Sequence, residues 1–574
     1  MSVLVKVSAL LLAARAALAL GWGGFAGPYF PKYPLLGLEF LQGTSGAFSS
    51  SPFYIVLTAM VEHVLGVTSP EGFDTVALVM RMLQLAALMA CALSGVIWCA
   101  HHAGLKAGWA ALALWLLVSS PWVHACDLLS DVWTLPLATL FLLGRGPMIT
   151  GLAAGLLAVI RPVWLILFLS GPWRYAKGGR RLGSFALAFF LPVFPALWHN
   201  VLKGEVSLTT SGPFLLYSSH NASARAWGYA PPSELVYRQQ VEQSRGNLFP
   251  LEHRLSEDIV KEAWGPQADV AEVYKDVAAH QVAADGGRFL ARLLRRAQAL
   301  LHPYVYHDTS AIAAYQMPGL PLVLLLPLAL AGWMRVGGRR AILLVAGVLI
   351  TTLVFYASER LRLPLYALIP VAAVGAQAAF RLVTGRLHGH HNPRVPLLAG
   401  AAVALAIWLL PNDDLEYLQD VVDHRFPLEQ QLSMARARGD RAGEQKLAKD
   451  ILKVDPFNGF ALLTLNIPQE RPHPLLEGIR EPDDFSRVDE VMYFANAALL
   501  KGDSAAALSL ARRASEASPA EPRFAALELQ ATLMSGDNEA ALKALHRGWE
   551  LGLALEHGGL GILRDAAHRL GKLQ

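Results

Sequence analysis

The sequence predicts an all-α protein that crosses a membrane many times and carries a helical domain outside the bilayer. Of its 574 residues, 54% are hydrophobic and only 16% are charged, whereas in soluble domains about a quarter are charged. Charge is also divided unevenly: residues 411–574 contain 19 Lys+Arg against 26 Asp+Glu, and the remainder contains 30 against 19. The sequence therefore predicts a basic transmembrane domain, 1–410, and an acidic domain, 411–574.

Apolar runs near the roughly 20 residues that cross a bilayer as a helix recur throughout 1–410. The first run is interpreted as an uncleaved membrane helix, although it also resembles a signal peptide. Two shorter runs meet at Arg161-Pro162 and are interpreted as two short helices that turn there. The predicted spans then number about eleven, at 3–21, 75–99, 108–122, 132–143, 148–160, 163–173, 183–199, 319–334, 341–357, 363–381 and 396–410.

Basic residues between the spans predict the topology. With a cytoplasmic N-terminus, the five inner loops contain 12 Lys+Arg and no Asp or Glu, which is the positive-inside bias. A single kinked helix across Arg161-Pro162 would put the basic segment 173–182 outside. We therefore predict a bacterial cytoplasmic (inner) membrane protein with outer loops 22–74 and 200–318 and an extracytoplasmic domain, 411–574.

The C-terminal domain shows a sequence repeat. Gly502-Asp503 and Gly536-Asp537 are separated by 34 residues, which is the tetratricopeptide (TPR) period, and helical periodicity fills the intervals. Such repeats stack into a concave surface for peptides or partner proteins. The sequence therefore predicts a TPR-like domain that binds a protein partner, with a plain helical cap over the outer loops as the alternative.

Five stretches in the first domain occur in an order and spacing that resemble the GT-C glycosyltransferases, the fold of protein O-mannosyltransferases and of the aminoarabinose transferase acting on lipid A. They are residues 75–96, 120–143, 151–169, 204–232 and 356–370. The resemblance implies a GT-C-like bundle of membrane helices. It also implies transfer of a sugar from a polyprenyl-phosphate donor to a lipid, glycan or protein acceptor on the extracytoplasmic side of the cell envelope.

Carboxylates on the outer face are the candidate catalytic groups, because a carboxylate can deprotonate the incoming hydroxyl. Asp131 stands where the family has the acid of its Leu-Ser-Glu motif, here Leu-Ser-Asp. Asp127 is four residues earlier, so both acids can share one helical face and bind one divalent cation. This cation is the only cofactor that the sequence suggests. Helix capping is the alternative role for both.

Arginines are the candidate ligands of the donor phosphate, because the planar guanidinium offers paired donors. Anchoring at the membrane interface is their alternative role. Polar side chains of the outer loops are predicted to line the substrate site. The phosphate candidates are Arg161, Arg360, Arg362 and Arg81, and the substrate-lining candidates are Tyr33, Tyr217, His220 and Asn221.

The sequence departs from the family pattern in the first outer loop. The family has an Asp shortly before a Tyr-led helix that ends in Gly. Here that helix is the segment 33–43, and Tyr29 or Phe30 occupies the place of the Asp. Glu39, within the helix, is the candidate substitute base. The alternative function is a non-catalytic GT-C-like scaffold whose repeat domain recruits envelope or polysaccharide assembly partners. Neither function involves nucleic acid.

Overall fold

Helices make up the regular structure of this computed structural model, and its described part contains no β-strand. It divides into two compact units, residues 1–212 with 294–411 and residues 213–293 with 412–574. The structure describes residues 1–23, 32–48, 50–126, 129–221, 224, 231–244, 252–301, 322–336, 339–355, 359–384, 394–409, 428, 431–432, 435, 440–454, 461, 464–465 and 488–571.

The first unit is built from apolar helices around one large hydrophobic core. Short 3-10 stretches at Pro70–Gly72, Ser130–Trp133, Pro162–Leu169 and Leu363–Leu368 interrupt or precede them. Up to residue 202 the helices are α1 (Ser2–Gly23), α2 (Lys32–Leu41), α3 (Pro52–Leu65), α4 (Phe73–Ala103), α5 (Leu105–Leu117), α6 (Ser120–His124), α7 (Thr134–Leu143), α8 (Pro147–Ile160), α9 (Ser170–Tyr175) and α10 (Gly179–Leu202).

The second unit begins with helices that the chain forms before it returns to the first unit. They are α11 (Gly212–His220), α12 (Ser233–Ser244), α13 (Glu252–Trp264) and α14 (Val270–Ala284), followed by α15 (Gly286–Leu301), whose second half is counted with the first unit. The first unit then continues with α16 (Leu322–Val336), α17 (Arg339–Val354), α18 (Glu359–Arg362), α19 (Ile369–Val383) and α20 (Arg394–Leu409).

The remaining described helices belong to the C-terminal part of the second unit. They are α21 (Arg441–Val454), α22 (Val488–Leu500), α23 (Ser504–Ala517), α24 (Pro522–Ser535), α25 (Asn538–Glu550) and α26 (Gly559–Arg569), with a 3-10 turn at Leu553–Leu555 before the last.

Four helical segments of the described chain are long and apolar enough to cross a membrane by themselves. They are Ser2–Leu20, Pro70–Ala103, Gly179–Leu202 and Leu363–Val383. The other predicted spans coincide with shorter apolar helices or 3-10 segments, so the all-α polytopic membrane class is confirmed. The predicted span 108–122 differs in detail, because α5 ends at Leu117 and a separate short helix, α6, begins at Ser120 before Pro121.

Close packing of membrane helices depends on small residues, which allow the backbones of neighbouring helices to approach. Gly332 of α16 and Gly375 of α19 show this most clearly. A Cβ atom at Gly332 would collide with the Val371 carbonyl, and one at Gly375 would collide with the Leu328 carbonyl. The two backbones therefore touch, and no larger residue fits at either position.

The segment 213–293 packs with the C-terminal residues of its unit, whereas the sequence analysis counted it within the outer loop 200–318 of the first domain. Gln281 Nε2 donates to the Leu551 carbonyl at 2.6 Å, and the His557 backbone N–H donates to Ser233 Oγ at 2.8 Å. Leu555 completes the apolar cluster formed by α11–α14. Contacts across about 300 positions of sequence thus define this unit.

Two turns in the second unit have the same geometry 34 residues apart. Gly502 and Gly536 both have φ of 77°, a left-handed conformation that favours glycine. Asp503 accepts a hydrogen bond from the Ala506 N–H at 2.9 Å, and Asp537 accepts one from the Ala540 N–H at 3.0 Å. Each turn therefore ends one helix and caps the next in the same way.

Candidate functional site

Asp131 and Arg161 form a two-point ion pair in the first unit. Arg161 Nε lies 2.5 Å from Asp131 Oδ1, and Arg161 Nη2 lies 2.8 Å from Asp131 Oδ2. The Asp131 side chain is 4% exposed and the Arg161 side chain is 19% exposed. The structure thus brings together two predicted site residues that are 30 positions apart in sequence, in the parallel arrangement that carboxylate and guanidinium prefer.

A break between two helices directs the Arg161 side chain. Helix α8 ends at Ile160, and Arg161 adopts an extended conformation with φ of −144° and ψ of 122°. Pro162 explains the break, because a proline disfavours the helical conformation of the residue before it. The 3-10 stretch Pro162–Leu169 then packs against α8. The predicted turn at Arg161-Pro162 therefore exists, and Arg161 is its central residue.

Asp131 lies in the 3-10 turn Ser130–Trp133, which continues directly into α7. The Thr134 hydroxyl donates to the Asp131 backbone carbonyl at 2.5 Å and fixes the turn. The carboxylate therefore lies at the N-terminal end of α7, where the helix dipole favours a negative charge. The helix dipole and the guanidinium thus both place positive charge beside the Asp131 carboxylate.

Tyr33, predicted to line the substrate site, contacts the residue before Asp131. Its hydroxyl lies 3.1 Å from Ser130 Oγ and 3.1 Å from Ser50 Oγ. Its ring packs edge-on against Tyr54 of α3, with centroids 4.5 Å apart. Helix α2 is thereby attached to the turn that carries the catalytic candidate.

Arg81, a predicted phosphate ligand, holds the chain just ahead of this turn. Arg81 Nε donates to the Cys126 carbonyl at 2.9 Å, and Gln84 Nε2, one helical turn away on α4, donates to the Ala125 carbonyl at 3.2 Å. Gln84 Oε1 also accepts from the Tyr54 hydroxyl at 2.5 Å. These contacts hold the backbone of Ala125 and Cys126 against α4.

Arg362 lies on a short helix that packs against the Asp131 turn. Residues of α18 contact Ser130–Trp133, and the Arg362 side chain, 1% exposed, donates through Nη2 to the Ala299 carbonyl. A guanidinium group is thus buried on an element that contacts the Asp131 turn, where it bonds the end of α15. The side chain of Arg360 and the whole of Asp127 lie outside the described residues.

Glu39 is on the same helix as Tyr33 but nearer its C-terminal end. Their separation of six positions corresponds to about 9 Å along the helix axis. The Glu39 backbone carbonyl accepts from the N–H groups of Thr44, at 3.0 Å, and Ser45, at 3.1 Å, and so ends α2. The described contacts therefore join Tyr33, and not Glu39, to the Asp131 turn.

Tyr217, His220 and Asn221 belong to the second unit. The Asn221 carbonyl accepts from Arg292 Nη1 at 2.9 Å, and the His220 ring packs 5.2 Å from the Phe289 ring. His220 borders a cavity of about 20 Å³, which has room for a single water molecule.

Tyr217 is buried in the core of the same unit, 5.3 Å from the ring of Tyr274. Burial, together with the nearby carboxylates of Glu556 and Glu521, raises the pKa of Tyr217 well above its ordinary value. The phenol therefore stays protonated and serves as a hydrogen-bonding core residue. No acid–base step at neutral pH can use it.

The sequence did not predict Ser130 and Ser50, which hydrogen-bond to Tyr33, or Gln84, which bonds the Ala125 carbonyl and the Tyr54 hydroxyl. Ser130 is 97 positions from Tyr33, and no sequence pattern links them. Glu62 was also missed as a functional candidate. Its signal was visible in the sequence, as a single acid inside the apolar helix Pro52–Leu65.

The predicted divalent cation has no cluster of ligands in the part of the chain that the structure describes, which contains no group of three or more His, Cys, Asp or Glu side chains positioned for a metal. Both Asp131 carboxylate oxygens accept hydrogen bonds from Arg161. A cation at Asp131 would therefore compete with the guanidinium charge for the same carboxylate. The three cysteines, Cys91, Cys99 and Cys126, are buried and form no disulfide bond, which agrees with a role in core packing.

Few known proteins resemble this chain. No family model matches the sequence, and no curated protein matches it significantly. Among solved structures, the chain is similar to the archaeal oligosaccharyltransferase AglB from Archaeoglobus fulgidus in complex with an inhibitory peptide and a dolichol-phosphate, with 12% identity and a TM-score of 0.33. The match covers 84% of this chain and 60% of that one, so this chain aligns with less than two thirds of the oligosaccharyltransferase.

Proposed function

We propose that the chain is a membrane glycosyltransferase that moves a sugar from a polyprenyl-phosphate donor to a lipid, glycan or protein acceptor on the extracytoplasmic side of a bacterial cytoplasmic membrane. The observation that carries the proposal is the bidentate contact between Asp131 and Arg161 at the break between apolar helices. The ordered resemblance of five sequence stretches to the GT-C glycosyltransferases supports the reaction class. The positive-inside bias supports the topology.

The donor phosphate enters by exchange. Arg161 is the more exposed member of the pair, and its fork of N–H donors matches a phosphate as well as a carboxylate. A phosphate that takes the guanidinium leaves the Asp131 carboxylate able to accept a proton. Binding of the donor thus prepares the base.

The transfer step then balances without another reactant. The acceptor hydroxyl gives its proton to Asp131 while its oxygen bonds to the anomeric carbon, and the bond from that carbon to the donor phosphate oxygen breaks through an oxocarbenium-like state. Arg161 stabilises the charge on the departing polyprenyl phosphate. Attack opposite the leaving group inverts the anomeric configuration. Arg360 and Asp127 remain predicted contributors, and Glu39 a predicted second carboxylate.

Transfer assays test the proposal directly. Purified protein in lipid nanodiscs, given radiolabelled polyprenyl-phosphate sugars and membrane acceptors, is expected to transfer or hydrolyse the sugar. Asp131→Asn should lower the rate at least about 100-fold, the scale of a lost general base. The matched control is Glu71→Gln, an exposed acid of the same outer face, which should keep the rate. Absence of turnover, or full turnover by Asp131→Asn, contradicts the proposal.

A non-catalytic scaffold is the second candidate, and the repeated turns at Gly502-Asp503 and Gly536-Asp537 favour it, because stacked helical repeats commonly bind partners. Complementation of a deletion strain separates the two functions. A scaffold requires that the Glu39→Ala, Asp131→Ala double variant restores the phenotype fully while a chain without residues 411–574 does not. A transferase requires that the double variant fails.

A further inference from the structure

Glu62 of α3 is a fully buried acid, with 0% exposure. Among the residues that the structure describes, neither of its carboxylate oxygens has a hydrogen-bond partner, and both are closed off from solvent. Its side chain faces α2: a Cβ atom at Gly37 would lie 2.7 Å from Glu62 Oε2 and 3.0 Å from the Ala59 backbone nitrogen. The glycine thus makes room for the carboxyl, and the two helices touch around it.

An unpartnered buried carboxyl is far less costly as the neutral acid than as the anion. Helix α3 lies in the segment 22–74, predicted outside the membrane, and is not among the four helices long enough to cross it. Burial raises the pKa of Glu62 to about 8. At neutral pH the neutral acid therefore predominates while α2 and α3 stay packed.

The elements packed against α3 supply no charge that pairs with this carboxyl in the described contacts. Helix α8, which also contacts α3, carries no titratable side chain between Pro147 and Ile160. On α3 itself, Tyr54 donates to Gln84 and His63 is exposed. The titratable and charged groups of the other neighbours are Lys32, Tyr33 and Glu39 of α2, Asp74, Arg81, Cys91, Cys99, His101 and His102 of α4, and Asp131 of the 3-10 turn whose Trp133 packs on Phe53.

The contact at Glu62 belongs to the same seam as Tyr33. On α2, Tyr33 and Gly37 are four residues apart and share a face, as do Tyr54, Thr58 and Glu62 on α3. Tyr33 packs on Tyr54 at one end of the seam, and Gly37 meets Glu62 at the other. Movement of α2 away from Glu62 therefore also moves the hydroxyl that contacts Ser130.

We propose that Glu62 is a positioning residue whose neutral carboxyl closes the seam between α2 and α3, and whose ionisation opens the seam and withdraws Tyr33 from Ser130, the neighbour of Asp131. Once solvated, the carboxyl ionises with the ordinary pKa of glutamate, about 4.3. The opened population therefore rises with pH, by up to about tenfold per pH unit, until the pH reaches the pKa of the buried acid.

Amide hydrogen exchange of the peptide covering residues 32–41 tests the proposal in the full-length protein in nanodiscs. After correction for intrinsic exchange, the opened population of α2 should rise by up to about tenfold per unit between pH 5.5 and 7.5. Glu62→Gln should remove this dependence, and Glu62→Leu serves if the glutamine variant does not fold. Glu71→Gln, an exposed acid of the same outer segment, should behave as wild type.

A pH-independent opening of α2 in the wild-type protein overturns the proposal without any variant, and so does an unchanged pH dependence in Glu62→Gln. Sugar transfer provides a second readout, which rests on the proposed function: the wild-type rate should fall as the pH rises toward 8, and the Glu62→Gln rate should not. If the protein transfers no sugar but exchange follows the expected pattern, the proposed function fails and the positioning role of Glu62 stands.

Discussion

The two ends of α7 each hold an arginine, but with different kinds of partner. At the N-terminal end, Arg161 bonds the side chain of Asp131 and is 19% exposed. At the C-terminal end, Arg340 is 8% exposed and donates from Nη1 to the carbonyls of Phe141, at 2.7 Å, and Gly144, at 2.7 Å. Arg340 satisfies carbonyls that the helix end leaves without intrahelical partners and complements the dipole.

The two arginines differ in whether a ligand could take the place of their hydrogen-bond partners. The carbonyls around Arg340 cannot move without unwinding the end of α7, so this arginine is committed to stability. The partner of Arg161 is a carboxylate that carries its own charge, and in the mechanism that we propose an arriving phosphate releases it. Under that proposal, the same residue type serves as a fixed cap at one end of a helix and as an exchangeable ligand at the other.

The largest effect should come from removing only one member of the exchangeable pair. Arg161→Gln leaves the nearly buried Asp131 carboxylate without its counter-charge, so the free energy of unfolding should fall by about 3–5 kcal/mol. The double variant Arg161→Gln, Asp131→Asn should recover most of that loss. Denaturant titrations of the four proteins in detergent measure the coupling, and simple additivity of the single changes would contradict a direct pair.

A smaller effect is expected at the fixed arginine. Arg340→Met keeps most of the side-chain volume but leaves the Phe141 and Gly144 carbonyls unsatisfied, which should lower the free energy of unfolding by about 1–3 kcal/mol. Donor binding by the folded fraction should not change, because no carboxylate is released. A loss of donor affinity in Arg340→Met would show that both ends of α7 act in binding, and the comparison would fail.

The smallest effects are expected in the second unit. Asp503→Ala and Asp537→Ala each remove one helix cap, so each should lower stability by about 1 kcal/mol without changing sugar transfer. Because the two turns share their geometry, the two losses should be equal within error. Thermal unfolding of the full-length variants measures them, and clearly unequal losses would contradict equivalent repeats.

The sequence was informative where local chemistry decides the structure. Pro162 ends a helix at the preceding residue, so the Arg161 turn could be predicted from a dipeptide, and the 34-residue spacing of Gly-Asp located two equivalent turns. Hydropathy and charge predicted the helical spans for the same reason, because the formation of each span is determined by the residues within it. The sequence predicted that Asp131 and Arg161 lie on the same side of the membrane, but it could not predict that their side chains are in contact.

Contacts across the fold could not be predicted in this way. The Tyr33 hydroxyl reaches Ser130 only because α2, α3 and the Asp131 turn pack together, and Gly37 accommodates Glu62 only because α2 lies on α3. The packing of the segment 213–293 could not be predicted for a similar reason: its partners, such as Leu551 and Leu555, lie about 300 positions away. No periodicity or motif encodes a pairing over that distance.

The exchange of Asp131 for a phosphate at Arg161 is the central claim, and donor affinity tests it most directly. Binding of a polyprenyl phosphate to nanodisc-embedded protein, measured by titration, should be at least as tight in Asp131→Asn as in wild type, because the guanidinium no longer has to leave a carboxylate. It should be lost in Arg161→Gln. Equal weakening in both variants would show that the pair acts as a fixed structural bridge and would contradict the claim.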